Sequence, residues 1–179
     1  DLTYPIYQVY ENTGKLVNIT SIDSKFDIGM DNETLNSNSY LSYIILHQPN
    51  FLFNYTNIGY QSYYVDNQSI DLMKQLLFDV HRIGKIKNNV EITEPMLRNA
   101  DLITIDTSAF CAADAPGVKY NSPNGFSSED GCKMTRYAGL NPKLTSIGFF
   151  EYNPSYDVNN ITANTLSQMI WYFIEGFSL

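Results

Sequence analysis

Histidine is scarce in this chain of 179 residues: His47 and His81 are the two present. Cations are also few, with 11 Lys and Arg against 19 Asp and Glu; the resulting formal charge of -8 argues against nucleic acid as the natural partner. The longest apolar runs, residues 40–46 and 169–174, fall far short of the roughly 20 residues a membrane span needs, so a membrane role is not expected. Two cysteines, Cys111 and Cys132, cannot form a disulfide framework and lack metal-ligand spacing. Both are expected to be reduced, in a cytoplasmic protein. The first residues show neither an initiator methionine nor the charged and apolar regions of a signal peptide, and the chain is expected to begin inside a larger domain. Asn-x-Ser/Thr triplets occur at Asn18, Asn32, Asn54, Asn67 and Asn160, but an Asn-rich chain makes such triplets by chance and Asn18 falls in an apolar strand pattern. Nucleophile elbows, phosphate-cradling glycine loops and basic-aromatic stripes are all missing. The histidines stand away from the motifs below, in or beside helical segments, and read as packing or surface residues.

What is present is an alternation of two periodicities. Helical spacing of apolar residues predicts helices over residues 4–14, 69–81 and 162–176, with a short helix or irregular segment over 40–48, a short helix over 93–100 and a capped helix over 127–139. The stripe of the helix over 69–81 is Ile70, Leu72, Met73, Leu76, Leu77 and Val80; that of the last helix is Leu166, Met169, Ile170, Phe173, Ile174 and Phe177. Strands are expected over 15–23, 51–60, 102–106 and 144–151, with 83–92 unassigned and a polar loop running to about residue 39. Ser127 and Asp130 have capping-box spacing, and Gly139 stands where a helix would stop. Strands such as Leu102-Ile-Thr-Ile105 carry no polar alternation and suit a sheet covered on both faces. The expected fold class is α/β, a three-layer α/β/α arrangement on a mainly parallel sheet, in a single domain over residues 1–179 without internal repeats or linkers.

Two strand ends concentrate chemistry. Asp23-Ser-Lys-Phe-Asp27 places Asp23, Lys25 and Asp27 at period two, so a continued pleat would aim all three to one side, and Asp106 and Ser108 repeat the spacing at a second strand end. Carboxylates from neighbouring parallel strands can hold divalent metals. Exposed aspartates that merely end strands and cap loops remain the alternative.

The order of five landmarks adds to this. After the strand-end Asp106-Thr-Ser108 come Asp114-Ala-Pro-Gly117, Pro123-Asn-Gly-Phe-Ser-Ser-Glu129 and Glu151-Tyr-Asn-Pro154 before a terminal amphipathic helix, and Asp23-Ser-Lys-Phe-Asp27 precedes them all. In this order the whole chain resembles the ureohydrolases, the family of arginase, agmatinase and formimidoylglutamase, with its closest likeness to the formimidoylglutamase-like branch. The resemblance implies an arginase-like fold and, in active members, two manganese ions that activate a bridging water against a guanidinium or formimino carbon. It implies ligands at Asp23, Asp27 and Asp106, which match, whereas Lys25 stands for a histidine ligand and Ser108 for an aspartate. A further histidine ligand would belong to a Gly-Gly-x-His segment before Asp1. Asn38-Ser-Tyr40 aligns with an Asn-x-His whose histidine transfers protons. Asp114, Glu129 and Glu151 match acidic positions around the site, Glu151 as the contact to a cationic substrate group.

A protonated lysine ligates no metal and repels a divalent ion. The resemblance therefore implies a catalytically degenerate relative: no cofactor, Lys25 paired with Asp23, Asp27 and Asp106, and a fold kept for binding a protein or a small amidine- or guanidine-like ligand, as a homo-oligomer. The other reading is an active manganese-dependent hydrolase of linear amidines.

Overall fold

A computed structural model describes residues 2–29 and 35–179. Residues 30–34 of the expected polar loop, with the Asn32 triplet, lie outside the described residues. Five strands, β1 (Val17–Ile22), β2 (Leu52–Tyr60), β3 (Asp79–Arg82), β4 (Leu102–Asp106) and β5 (Ser146–Phe150), form one sheet in the order β3-β2-β1-β4-β5, parallel at every pairing. Among the described residues seven α-helices cover it: α1 (Thr3–Thr13), α2 (Tyr40–Leu46), α3 (Asn67–Gln75), α4 (Ile83–Asn88), α5 (Glu94–Arg98), α6 (Ser128–Gly139) and α7 (Ile161–Phe177). The strands alternate which face each apolar side chain serves, and this separates two cores. Tyr7, Ile19, Tyr55, Leu102, Leu41, Ile44 and Met73 pack beneath α1, α2 and α3. Ile22, Ile58, Ile103, Ile105, Leu97, Met134 and Met169 pack beneath α4 to α7. The expected α/β/α layering on a parallel sheet is the observed one. No described helix is long and apolar enough to cross a membrane.

The order 3-2-1-4-5 has one consequence for chemistry. The chain reverses its direction of growth between β1 and β4, whose residues Ile22 and Ile105 lie in register. A crevice opens at the carboxyl ends of strands at such a reversal, and α/β proteins place ligands there.

The helix expected over 69–81 is shorter. Asp66 caps α3 by accepting the Ser69 N–H, and α3 ends at Gln75, where Leu77 turns to φ 59°. The Phe78 N–H then reaches back to the Met73 carbonyl at 2.9 Å and the Leu77 N–H to Lys74 at 3.0 Å, a Schellman ending built without glycine. Residues 79–82 leave the helix to pair with the outer edge of β2, giving those backbone groups partners. His81 therefore lies on an edge strand, not on a helix. Leu77, read as part of the helical stripe, is 85% exposed.

Ser127 and Asp130 form the expected capping box: Asp130 N–H donates to the Ser127 hydroxyl at 3.1 Å, and Ser127 N–H to the Asp130 carboxylate at 3.0 Å. Gly139 is the last residue of α6, but its use is close packing and not a left-handed turn. A Cβ there would overlap the Phe173 carbonyl of α7, and one at Gly176 would overlap the Arg136 carbonyl of α6. Because the obstacles are backbone atoms, the two helices would have to separate. Gly139→Ala and Gly176→Ala should each cost about 1–3 kcal/mol in urea denaturation, while Gly84→Ala, where a Cβ meets nothing, serves as a control.

Candidate functional site: a buried carboxylate cluster

Asp23 follows β1 directly, and its N–H extends the ladder to the Ile58 carbonyl of β2 at 3.1 Å. The pleat does not continue beyond it. The Asp23 carboxylate accepts the Lys25 N–H at 2.9 Å, an Asx turn that bends the chain, and Asp27 stands at φ 51°. The bend is held from β2 by Asn57, whose fully buried amide donates to the Lys25 carbonyl at 2.8 Å and the Asp23 carbonyl at 3.4 Å. Asp23 and Asp27 thus meet through a turn, and Lys25 stands at the cavity that Asp27 and Asp106 line.

Across the crevice, Asp106 ends β4 and the chain enters a 3-10 turn over Thr107–Ala109. Ser108 N–H donates to the Asp106 carboxylate at 2.7 Å, so Ser108 folds back onto the aspartate instead of standing beside it on a strand. Carboxylate oxygens of Asp23, Asp27 and Asp106 all lie within 4.8 Å of one another. Asp23 and Asp27 are buried, and their side chains hydrogen-bond each other. Beneath them lie Tyr40 and Tyr55, whose hydroxyls burial holds above the ordinary phenol range.

Burial sets the protonation of the cluster. It raises Asp23 well above the carboxylate range, with the charges of Asp27 and Asp106 adding to the effect. It raises Asp27 to about 7. Burial raises Asp106 too, against the hydrogen bonds from Ser108. The Lys25 ammonium offsets the rise at Asp27 and Asp106 only in part. It makes no ion pair among the described residues and lies 6.0 Å from the centroid of the Tyr64 ring. The expected direct pairing of Lys25 with Asp23, Asp27 and Asp106 is therefore corrected to a longer-range attraction to Asp27 and Asp106, with burial raising all three carboxyls and the lysine at the mouth of the crevice.

Of the other expected residues, Glu151 joins the site. It follows β5 at φ 63° and lines, with Lys25, Asp27, Asp106, Ser108, Lys119 and Tyr120, a cavity of about 130 Å³ over the cluster. Asp114 and Glu129 do not line it. Asp114 accepts the Ser128 N–H at 2.6 Å, which ties the preceding loop to the amino end of α6, and exposed Glu129 pairs with Lys133 one helical turn on at 2.6 Å. Tyr40 is buried at the start of α2 and carries no imidazole. His47 is a packing residue as expected, with Nδ1 2.9 Å from the Tyr4 hydroxyl and Nε2 2.8 Å from Glu11. Cys111 and Cys132 are unpaired. Asn18, the first residue of the Asn-x-Ser/Thr triplets, donates its amide to Asp101 at 2.9 Å. Asn57 was not foreseen, because β2 also carries Asn54 and Thr56 and its sequence does not single out one polar residue.

The donor set does not fit two manganese ions. Among the described residues three carboxylates are grouped, too few to hold a pair of metals. This is a three-ligand cluster.

The profile of the arginase family matches residues 1–175. The chain belongs to the arginase family. A formimidoylglutamase of Vibrio vulnificus is 36% identical over 94 residues, 50% of this chain and 28% of that protein. One of Streptococcus gordonii is 26% identical over 153 residues, 82% of this chain and 43% of that protein. Among solved structures, manganese-bound formiminoglutamase of Trypanosoma cruzi superposes with a TM-score of 0.81 at 16% identity, over 90% of this chain and 56% of that one. Arginase of Medicago truncatula gives 0.76 at 21% identity, over 95% and 54%. This arginase-family chain thus spans about half, or less, of the length of the relatives it matches, and the structural likeness is one of fold. Within that fold, the crevice between β1 and β4 holds an incomplete metal cluster.

Proposed function

We propose that this arginase-family chain has lost the binuclear manganese centre and with it the hydrolase activity, and that the fold is kept as a binding or assembly module in the cytoplasm. The carrying observation is the pair of replacements at the strand ends. Lys25 brings a cation to the mouth of the carboxylate cluster, and the Ser108 turn folds onto Asp106 where another acidic ligand would be needed. A divalent ion entering the crevice would meet a like charge and too few oxygens to replace its water shell. Asp23, Asp27 and Asp106 are on this reading the remnant of the ligand set, and Glu151 the remnant of a substrate contact.

The test is elemental analysis of the purified 179-residue chain, with an assay of urea and formamide release from arginine, agmatine and formimidoylglutamate in added manganese. Substoichiometric manganese and no turnover are expected. About two ions per chain, with turnover abolished by Asp106→Ala, would establish an active hydrolase instead.

A further inference from the structure

Beside the carboxylate cavity, a second cleft of about 520 Å³ opens between the turn that carries Tyr64 and the loop that carries Lys119 and Tyr120, with Ser24, Lys25, Ser108 and Asn121 also on its walls. Two ammonium groups line it. Lys119 Nζ lies 4.9 Å from the centroid of the Tyr120 ring, and Lys25 Nζ 6.0 Å from that of Tyr64. Neither lysine has an ion-pair partner among the described residues, whereas Lys74, Arg98, Lys133 and Arg136 each pair with an acid.

The aromatic walls are partly exposed. Tyr64 is 45% and Tyr120 69% exposed, and each presents an apolar ring to the cleft. The walls are braced across the opening. Gln61 donates to the Asn124 carbonyl at 3.1 Å, and Asn124 to the Tyr63 hydroxyl at 3.2 Å, so the tyrosine turn and the loop beyond Tyr120 are tied together before any ligand arrives. Tyr63 in turn stacks edge-on against Tyr64 at 4.6 Å.

Unpaired cations, flat apolar walls and neighbouring hydroxyl and amide groups suit an anion with a planar body. A guanidinium or amidinium in this cleft would meet two ammonium groups, while Asp27, Asp106 and Glu151 line the adjoining cavity that shares Lys25 and Lys119. We propose that this cleft binds a small aromatic carboxylate, its oxyanion between the ammonium groups of Lys25 and Lys119 and its ring against Tyr64 and Tyr120. The inference rests on the loss of the metal centre, because Lys25 is free to face the cleft only when position 25 holds no metal. It replaces the expected amidine- or guanidine-like ligand with one of opposite charge.

Benzoate and benzamidine have nearly the same shape and opposite charge, so calorimetric titration of the 179-residue chain with each separates the two chemistries. Benzoate should bind at least about tenfold more tightly than benzamidine. The Lys25→Met/Lys119→Met double variant should weaken benzoate by about tenfold or more, and Tyr120→Ala by several-fold, with thermal melts confirming that each variant is folded. Absence of benzoate binding, equal or tighter binding of benzamidine, or benzoate binding indifferent to the lysines would overturn the proposal. Manganese measured in the same samples keeps the two readings apart. Metal-free protein that ignores benzoate removes the anion site alone, whereas stoichiometric manganese removes the loss of the metal centre on which it depends.

Discussion

Replacing Asp27 with asparagine should stabilise this protein at pH 8 by about 2–4 kcal/mol and do almost nothing at pH 4. The sign follows from burial. The folded chain raises Asp27 to about 7, chiefly because its carboxyl is withdrawn from water, whereas an unfolded aspartate titrates near 3.9. Between those values the folded state holds a proton that the unfolded state has released. The contribution of Asp27 to stability is thus fully present below about pH 4 and is lost as pH rises through about 7. A rise of about three units corresponds to roughly 4 kcal/mol at most, at 1.36 kcal/mol per unit. Asparagine removes the charge, and it suits the left-handed backbone at φ 51° about as well as aspartate does. Urea titrations of both proteins from pH 4 to pH 8 measure the effect. A destabilised asparagine variant at pH 8 would mean that a bound cation already satisfies the carboxylate.

Restoring the missing ligands should produce the second large change. Lys25→His/Ser108→Asp returns the two residue types that the family resemblance implies, and it removes the ammonium from the mouth of the crevice. Manganese at about 100 times its dissociation constant would then stabilise the folded state by about 2.7 kcal/mol, a rise in Tm of roughly 5–10 °C for a chain of this size. The unaltered chain should show no manganese-dependent shift, and neither should the double variant when Asp106 is also changed to alanine. An equal shift in the unaltered chain would show that three carboxylates suffice.

Much of the architecture was legible because it depends on local pattern. Recurring apolar residues marked β1 and β4, helical spacing marked α1 and α7, and the capping box at Ser127 that marked α6 lay where its spacing said. The end of α3 was not legible. Leu76, Leu77 and Val80 continue the helical stripe in sequence, yet an unpaired edge of β2 draws residues 79–82 into the sheet, and that demand arises far away in the chain. Gly139 looked like a stop signal, while its reason is the backbone of α7, which sequence spacing cannot reveal.

The carboxylate site divides in the same way. The residue types at the strand ends, read with the family resemblance, identified Asp23, Asp27, Asp106 and Glu151 and marked Lys25 and Ser108 as departures. Only the tertiary structure decided what those departures do. Strand periodicity assumes that the chain stays extended, but the Asp23 carboxylate accepts the Lys25 N–H and Asn57 of a neighbouring strand clamps the turn, so Lys25 stands at the mouth of the cavity without a direct ion pair to the aspartates. Asp114 and Glu129 have the right identity for an acidic site and are committed to the amino end and the surface of α6. The sequence by itself determined the layers and which chemistry stands at the strand ends, because helical and strand periodicity and residue identity are local. Charge state and direction were left to the fold, because burial and the partner of each group depend on segments that meet only after folding.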